Sequence, residues 1–225
     1  MSVFDNYRTI AWPHRFHGRL VVDTIAGGTP SDPKVTEGWL RTKLADKDDL
    51  LRDRVNETMF ERGMSEDEAV ELVDAQRHLN GFKRDEHGLY IDGRCLKAAL
   101  KEAASIAANA GKLSTKGWGN PDNATWKKGL KGWFPEHVFV LEDRLHLGVH
   151  EASAVVQRFV HTHRGSAIQY EEIVEKADIS FTVVTDYDFS EKEWAMLWLT
   201  GEQQGIGAAR SQGCGRYAVV EWEEM

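Results

Sequence analysis

Long apolar runs are missing from this chain of 225 residues, and no window approaches the roughly 20 consecutive apolar residues that would span a bilayer. Cysteine is nearly absent. Cys95 and Cys214 are too few for a disulfide framework, and no C-x-x-C pair suggests structural zinc. Met1-Ser2-Val3-Phe4-Asp5-Asn6 has no basic stretch followed by an apolar one, so a reducing, cytoplasmic setting is expected rather than secretion or a membrane. Positive charge is also in deficit, with 28 Lys and Arg against 36 Asp and Glu for a net of −8. As an average, that argues against a nucleic-acid partner. What remains is ordinary for a folded protein, 41% hydrophobic and 28% charged, which excludes disorder for most of the chain.

The charge is unevenly distributed. Gly93 to Trp133 carries eight basic residues against Glu102 and Asp122, a net of +6 that leaves −14 elsewhere. An anionic ligand would meet a basic segment rather than a basic average.

Apolar and β-branched residues from Phe16 to Ile25 predict a strand ending at the turn-forming Gly27-Gly28. Helical spacing runs through Asp48 to Glu61. Ser65-Glu66-Asp67-Glu68 is a capping box opening a second helix to about Leu79. A short strand over His87–Asp92 leads at Gly93 into an amphipathic helix through Leu96, Ala99, Leu100 and Ala103, closing at Gly111. Strands are expected over Val138–Leu147, Ala154–His163 and Ile179–Thr185. Glu171-Glu172 and Asp186–Glu193 read as solvated acidic faces, or as surfaces that meet the basic loop of a neighbouring copy. Ser190–Glu193 is a second capping box, with Trp194, Leu197 and Trp198 as the stripe of its helix, and Tyr217–Trp222 closes as a strand. Strand, helix, loop and strand at this end make half of a ferredoxin-like unit. The expected architecture is therefore one α+β domain over 1–225, with an acidic helical insertion at about 40–85 and a basic loop at about 111–134.

The sharpest motif is Gly205-Ile206-Gly207-Ala208-Ala209-Arg210-Ser211-Gln212-Gly213-Cys214-Gly215, two Gly-apolar-Gly triplets around an arginine, with Arg216 following. Glycines permit positive φ and exposed amides can cradle phosphate oxygens, while Arg210 and Arg216 would add charge-assisted contacts. The alternative is a helix-to-strand turn packed tightly on the sheet. A dinucleotide fingerprint fits poorly, because this loop leaves a helix and enters a strand. In the basic loop, Lys127, Lys128, Trp118 and Trp126 interleave cations with rings, the combination by which single strands are tracked and stacked; the alternative places the tryptophans in a core or interface. Arg94 and Lys97 flank the helix start at Gly93, where backbone amides could receive a phosphate.

The glycine loop, its C-terminal position and the strand-helix-loop-strand around it resemble the RAMP superfamily of CRISPR-associated proteins, which have ferredoxin-like (RRM-like) cores with such a loop. Ile91-Asp92-Gly93-Arg94-Cys95-Leu96-Lys97 is similar to the strand, Gly-Ser-Ser-Leu-Lys-Gly, helix entry of the backbone subunits that line guide RNA in class 1 effector complexes. Arg94 and Cys95 stand where that motif has small residues. The first strand and Gly27-Gly28 sit where those subunits place their first strand and functional loop. The resemblance covers half of the chain.

It implies a subunit that binds single-stranded RNA and multimerises along it with other copies and other effector subunits. Gly205, Gly207, Arg210, Gly213, Gly215, Arg216, Arg94, Lys97, Lys127 and Lys128 would hold phosphates, and Trp118 and Trp126 would stack on bases. The alternatives are a metal-independent ribonuclease that processes guide precursors, with His14 or His17 as its histidine, or a stand-alone or viral relative that binds effector subunits. Asp32 would be the aspartate after the first strand that some backbone subunits use for cutting, although Ser31 and Pro33 beside it equally suit a turn. His161 and His163 share one strand face without a third ligand in reach. No metal and no cofactor are expected.

Overall fold

The computed structural model describes residues 10–30, 47–77, 79–113, 133–162 and 165–225. It is a mixed α+β structure that divides into two compact units, one of residues 1–25, 84–151 and 174–225, the other of 26–83 and 152–173.

In the first unit, strand β1 (His14–Ala26) buries Phe16, Leu20 and Val22 while His17 and Arg19 alternate outward, the period of a strand with one covered face. It pairs antiparallel with β10 (Tyr217–Glu224), from Phe16 opposite Glu224 to Val22 opposite Tyr217, with one irregularity between Arg19 and Leu20. β9 (Gly165–Thr185) is the other neighbour of β1. β6 (Val138–Val140) joins β9 at Val183–Thr185. Helices α3 (Gly93–Asn109) and α4 (Glu191–Gln204) belong to this unit and pack on one another. Small residues permit that approach, since a Cβ on Gly201 would lie 3.7 Å from the Ala103 Cβ and run into the Tyr217 hydroxyl. Both capping boxes form as the sequence predicts: Ser190 N–H donates to Glu193 at 2.8 Å and Ser65 N–H to Glu68 at 2.9 Å, with each serine hydroxyl accepting in return. A smaller sheet holds β4 (Lys83–Asp85), β5 (Gly88–Asp92) and β7 (Arg144–His146) in that order.

In the second unit β8 (Ala154–Thr162) forms a hairpin with the first half of β9, from Ala154 opposite Ile173 to Thr162 opposite Gly165. β3 (Leu79–Gly81) runs parallel to β9 at Tyr170, and β2 (Thr29–Pro30) pairs antiparallel with β3. Helices α1 (Lys47–Arg62) and α2 (Glu66–Arg77) close on Val55, Ala69 and Val73, with Met59 and Met64 packed against them.

Four expectations are corrected. Val138–Leu147 is not one strand but two, β6 and β7, in different sheets; between them Glu142 turns to accept the Thr182 N–H at 2.7 Å and Asp143 O accepts from Gly93 N–H. The strand expected over Ile179–Thr185 starts at Gly165, and its alternation slips where Glu175 and Lys176 are both exposed and Lys176 takes a φ of 54°. Glu171 and Glu172 do not form a solvated face. Both are buried. Glu171 is ion-paired with Arg158 at 2.7 Å, and Glu172 accepts from the Phe82 amide at 3.0 Å, so a cation faces one carboxylate and a backbone donor the other. The second helix also ends at Arg77, two residues before the expected limit.

Candidate nucleic-acid interface

The glycine loop leaves α4 through Gly205, whose N–H donates to Gly201 O at 2.8 Å and whose φ is 75°. Its neck is a backbone crossing. Ile206 N–H donates to Gly215 O at 2.9 Å, and Gly215 N–H donates to Thr24 O at 2.6 Å, which ties the loop to β1. A Cβ on Gly205 would lie 2.8 Å from the Gly215 carbonyl carbon, and one on Gly215 would strike the Ile206 carbonyl oxygen. The outer glycines therefore serve close approach, and Ile206 and Cys214 fill the space beneath them as buried side chains.

Beyond the neck the chain reverses through Gly207 (φ 82°), Ala209 (φ 52°) and Gly213 (φ 90°), with a single 3₁₀ turn over Arg210–Gln212. Nothing lies within 4 Å of a Cβ placed on Gly213. Ser211, Gln212, Gly213 and Arg216 are exposed. The Arg210 guanidinium reaches Glu102 on α3 at 2.6 Å, with the two side chains 35% and 44% exposed. An anion at this tip would meet Arg210 by displacing or sharing that carboxylate.

The sequence places Arg94 and Lys97 together on the first turn of α3, but their surroundings differ. Arg94 is 81% exposed and donates to Asp92 at 2.9 Å. The Lys97 ammonium rests 3.7 Å from the centre of the Phe139 ring, and burial pushes its pKa down. The helix begins at a glycine for a steric reason, since a Cβ on Gly93 would collide with the Glu142 carbonyl oxygen. Glu102 lies eight residues beyond Arg94, so the glycine loop and the α3 N-terminus are about 12 Å apart along one helix. Lys127, Lys128, Trp118, Trp126 and Asp32 lie outside the described residues. Trp133 stacks on His137 at 4.3 Å, and Phe134 is fully buried, so the end of the basic loop is anchored in the core.

His14 and His17 sit at the far end of β1 from Thr24, seven residues or more away, roughly 20–30 Å in an extended strand. His14 Nδ1 is 3.2 Å from Glu224, and His17 lies opposite Glu223. The structure thus separates both histidines from the glycine loop. His161 pairs in register with Ser166 on β9, and His163 lies outside the described residues. Among the described residues no three His, Cys, Asp or Glu side chains are grouped to hold a metal.

One polar constellation went unread in the sequence. Asp85, nearly buried, accepts from Arg144 Nη1 at 2.8 Å, from His146 Nε2 at 3.0 and 3.1 Å to its two oxygens, and from the His87 backbone N–H at 2.9 Å. Partial desolvation pushes its carboxyl up, but these hydrogen bonds and the neighbouring charge outweigh it and hold the group at about 2. The His87 ring meets the His146 ring edge-on at 5.5 Å, the Tyr90 ring lies 5.7 Å from it, and the Arg144 guanidinium lies 5.1 Å from the Tyr90 ring centre. The signal available in the sequence was the paired spacing Asp85-x-His87 and Arg144-x-His146.

No protein-family model matches the sequence, and no curated protein matches it. Among solved structures, a chain in the cryo-EM structure of the Type III-B Cmr-beta bound to cognate target RNA is similar at a TM-score of 0.50 and 10% identity, covering 98% of this chain. This protein spans 63% of that chain's length. A chain of a Type IV-B CRISPR complex gives a TM-score of 0.41 at 9% identity, covering 94% of this chain and 90% of that one. The first likeness is one of fold. Among the described residues no helix is long and apolar enough to cross a membrane.

Proposed function

We propose that this chain is an RNA-binding subunit of a CRISPR class 1-like ribonucleoprotein, built on a RAMP-type core and holding single-stranded guide RNA with little regard to sequence. The observation that carries the reading is the glycine loop: a neck closed by Gly205 and Gly215 against β1, and an exposed tip of Ser211, Gln212 and Gly213 between the half-buried Arg210 and the exposed Arg216. The order β1, α3, β6, β9, α4, β10 follows a βαββαβ pattern, and the sheet order β10-β1-β9 with β6 added on β9 supports a ferredoxin-like core. On this reading α1 and α2 form the helical insertion of one elaborated domain. Arg210, Arg216, Arg94, Lys97, Lys127 and Lys128 contact the RNA backbone, with backbone amides of the glycine loop beside them. Trp118 and Trp126 stack on bases. Copies assemble along the strand, the basic segment of one facing acidic surface of the next, and other effector subunits join them.

Fluorescence anisotropy with labelled single-stranded RNA and DNA across a salt series tests this. Each phosphate contact removed should lower the steepness of the log-log salt dependence by about 0.7. Arg210→Ala, Arg216→Ala and a Lys127/Lys128 double alanine should each weaken binding in that way. Longer RNA should carry more copies in a mass measurement. Absence of salt-sensitive binding would overturn the proposal.

A further inference from the structure

β10 stands at the end of its sheet. Among the described residues it pairs with β1 alone, and its other edge takes no strand. Two bonds bracket the ladder, Asp23 N–H to Arg216 O at 3.1 Å and Met225 N–H to Arg15 O at 2.8 Å. In an antiparallel pair alternate residues turn their backbone groups toward the partner, so these two bonds fix the phase from both ends. Tyr217, Val219, Trp222 and Glu224 are left with N–H and C=O directed away from β1, because Val220 is the extra residue of the irregularity opposite Arg19 and Leu20. The Val219 N–H bears this out by donating to the Glu202 carboxylate of α4 at 2.9 Å. A regular strand offers outward groups at every second residue, so it would match Tyr217 and Val219 and then miss Trp222. A second β10, turned end for end, carries the same gap. Its Glu224 meets Tyr217, its Trp222 meets Val219, and the reverse holds across the axis. Charge selects the same orientation. Arg216 and Glu223 are exposed at opposite ends of the strand, with Ala218 and the 47% exposed Val220 between them. Antiparallel pairing sets Arg216 diagonally across from Glu223 of the other copy, whereas parallel pairing sets like charge beside like.

We propose that two copies of this chain pair edge to edge through β10, antiparallel about a two-fold axis between Val220 and Glu221, and that Glu202 is the latch this pairing displaces. The Val219 N–H exchanges the Glu202 carboxylate for the Trp222 carbonyl of the other copy. Glu202 thereby guards the edge in the single chain, as charged side chains do on other exposed strands, and keeps the pairing reversible. The pair is isologous and closes at two copies, unlike an open succession of copies along a strand of RNA. It needs no RNA and stands independently of the RNA-binding reading. One short strand from each copy makes an interface at the low end of the size range, so the pair forms at micromolar concentrations and above.

Sedimentation velocity on the full chain without RNA, from about 1 μM to about 0.5 mM, tests this. A monomer–dimer equilibrium that stops at two copies is expected. Glu202→Ala should tighten it about tenfold, since both copies lose the competing acceptor, while Glu202→Gln keeps an acceptor oxygen and should stay near the unaltered protein. Val220→Glu places a carboxylate opposite Glu221 of the other copy at both symmetric positions and should weaken pairing about tenfold. Val220 is exposed, so the fold should be kept, and far-ultraviolet circular dichroism checks that it is. Arg216→Glu should weaken pairing to a similar degree. Adding Glu223→Arg should restore it, a rescue that a general change in net charge would not produce. A chain that stays monomeric at every concentration overturns the inference. Assembly that continues beyond two copies overturns it as well, and so does a dimer indifferent to both Glu202→Ala and Val220→Glu.

Discussion

Gly213→Ala and Gly215→Ala should separate what the two halves of the glycine loop do. Both residues have positive φ, 90° and 81°, so an alanine at either costs about 1–2 kcal/mol in backbone strain. At Gly213 the cost stops there, because nothing lies within 4 Å of the added methyl. At Gly215 the methyl would drive into the Ile206 carbonyl and sit 2.9 Å from the Ile206 nitrogen. Both are backbone atoms of a fully buried residue, so no side chain can swing aside. Relief requires the crossing strands to part, giving up the Ile206–Gly215 and Gly215–Thr24 hydrogen bonds at about 1 kcal/mol each. Gly215→Ala should therefore cost about 3–4 kcal/mol against about 1–2 for Gly213→Ala. With a urea slope of about 1–3 kcal/mol per molar, the difference is about 1 M in midpoint. Urea titration followed by near-ultraviolet circular dichroism reads it. Equal midpoints would refute the argument that the outer glycines exist for close approach.

Arg210→Ala should move the urea midpoint little, since an ion pair with Glu102 this exposed contributes about 0–1 kcal/mol, even though the same change weakens RNA binding. Asp85 predicts an acid limb of stability. Its folded pKa lies near 2, below the ordinary carboxylate range near 4, so its contribution is complete above about pH 4 and is lost as pH falls toward 2. Urea midpoints measured from pH 5 down to 2 should fall for the unaltered protein and fall less steeply for Asp85→Asn. Ser190→Ala removes the acceptor for Glu193 N–H and half of a capping box, and should lower the midpoint by the equivalent of about 1 kcal/mol.

What could be read from the sequence was local and periodic. β1 announced itself by alternation, α3 by its Leu and Ala spacing, and both capping boxes by a Ser followed three residues later by Glu, because each signal lies within one element. β9 was half legible. Its first half carries Glu171-Glu172, which reads as solvent-facing unless one knows that Arg158 and the Phe82 amide arrive from elsewhere in the chain. Val138–Leu147 keeps a strand-like alternation across a break, since the residues that redirect it, Glu142 and Asp143, bond to Thr182 and Gly93, 40 and 50 positions away. The Asp85 cluster needed strands separated by about 60 residues to meet, which no local pattern encodes. For the same reason Lys97 looked like a simple phosphate contact before Phe139 was placed beneath it.

Carboxylate placement also bears on how a chain of net charge −8 would receive a polyanion. Several acids are occupied by internal partners: Asp178 and Glu221 share Arg19, Asp85 holds Arg144 and His146, and Glu171 holds Arg158. At the glycine loop the same device works against the proposed ligand, because Glu102 occupies Arg210 before any phosphate arrives. Binding there is an exchange, and its cost is the half-exposed ion pair, about 0–1 kcal/mol. Glu102→Gln keeps the side-chain shape while removing the charge. It should tighten RNA binding by up to about fivefold at low salt, an effect that shrinks as salt rises. It should do nothing for RNA binding in an Arg210→Ala background, a dependence that a general change in net charge would not produce. If Glu102→Gln instead weakens binding, the carboxylate aims the guanidinium at the phosphate rather than competing for it, and the exchange argument fails.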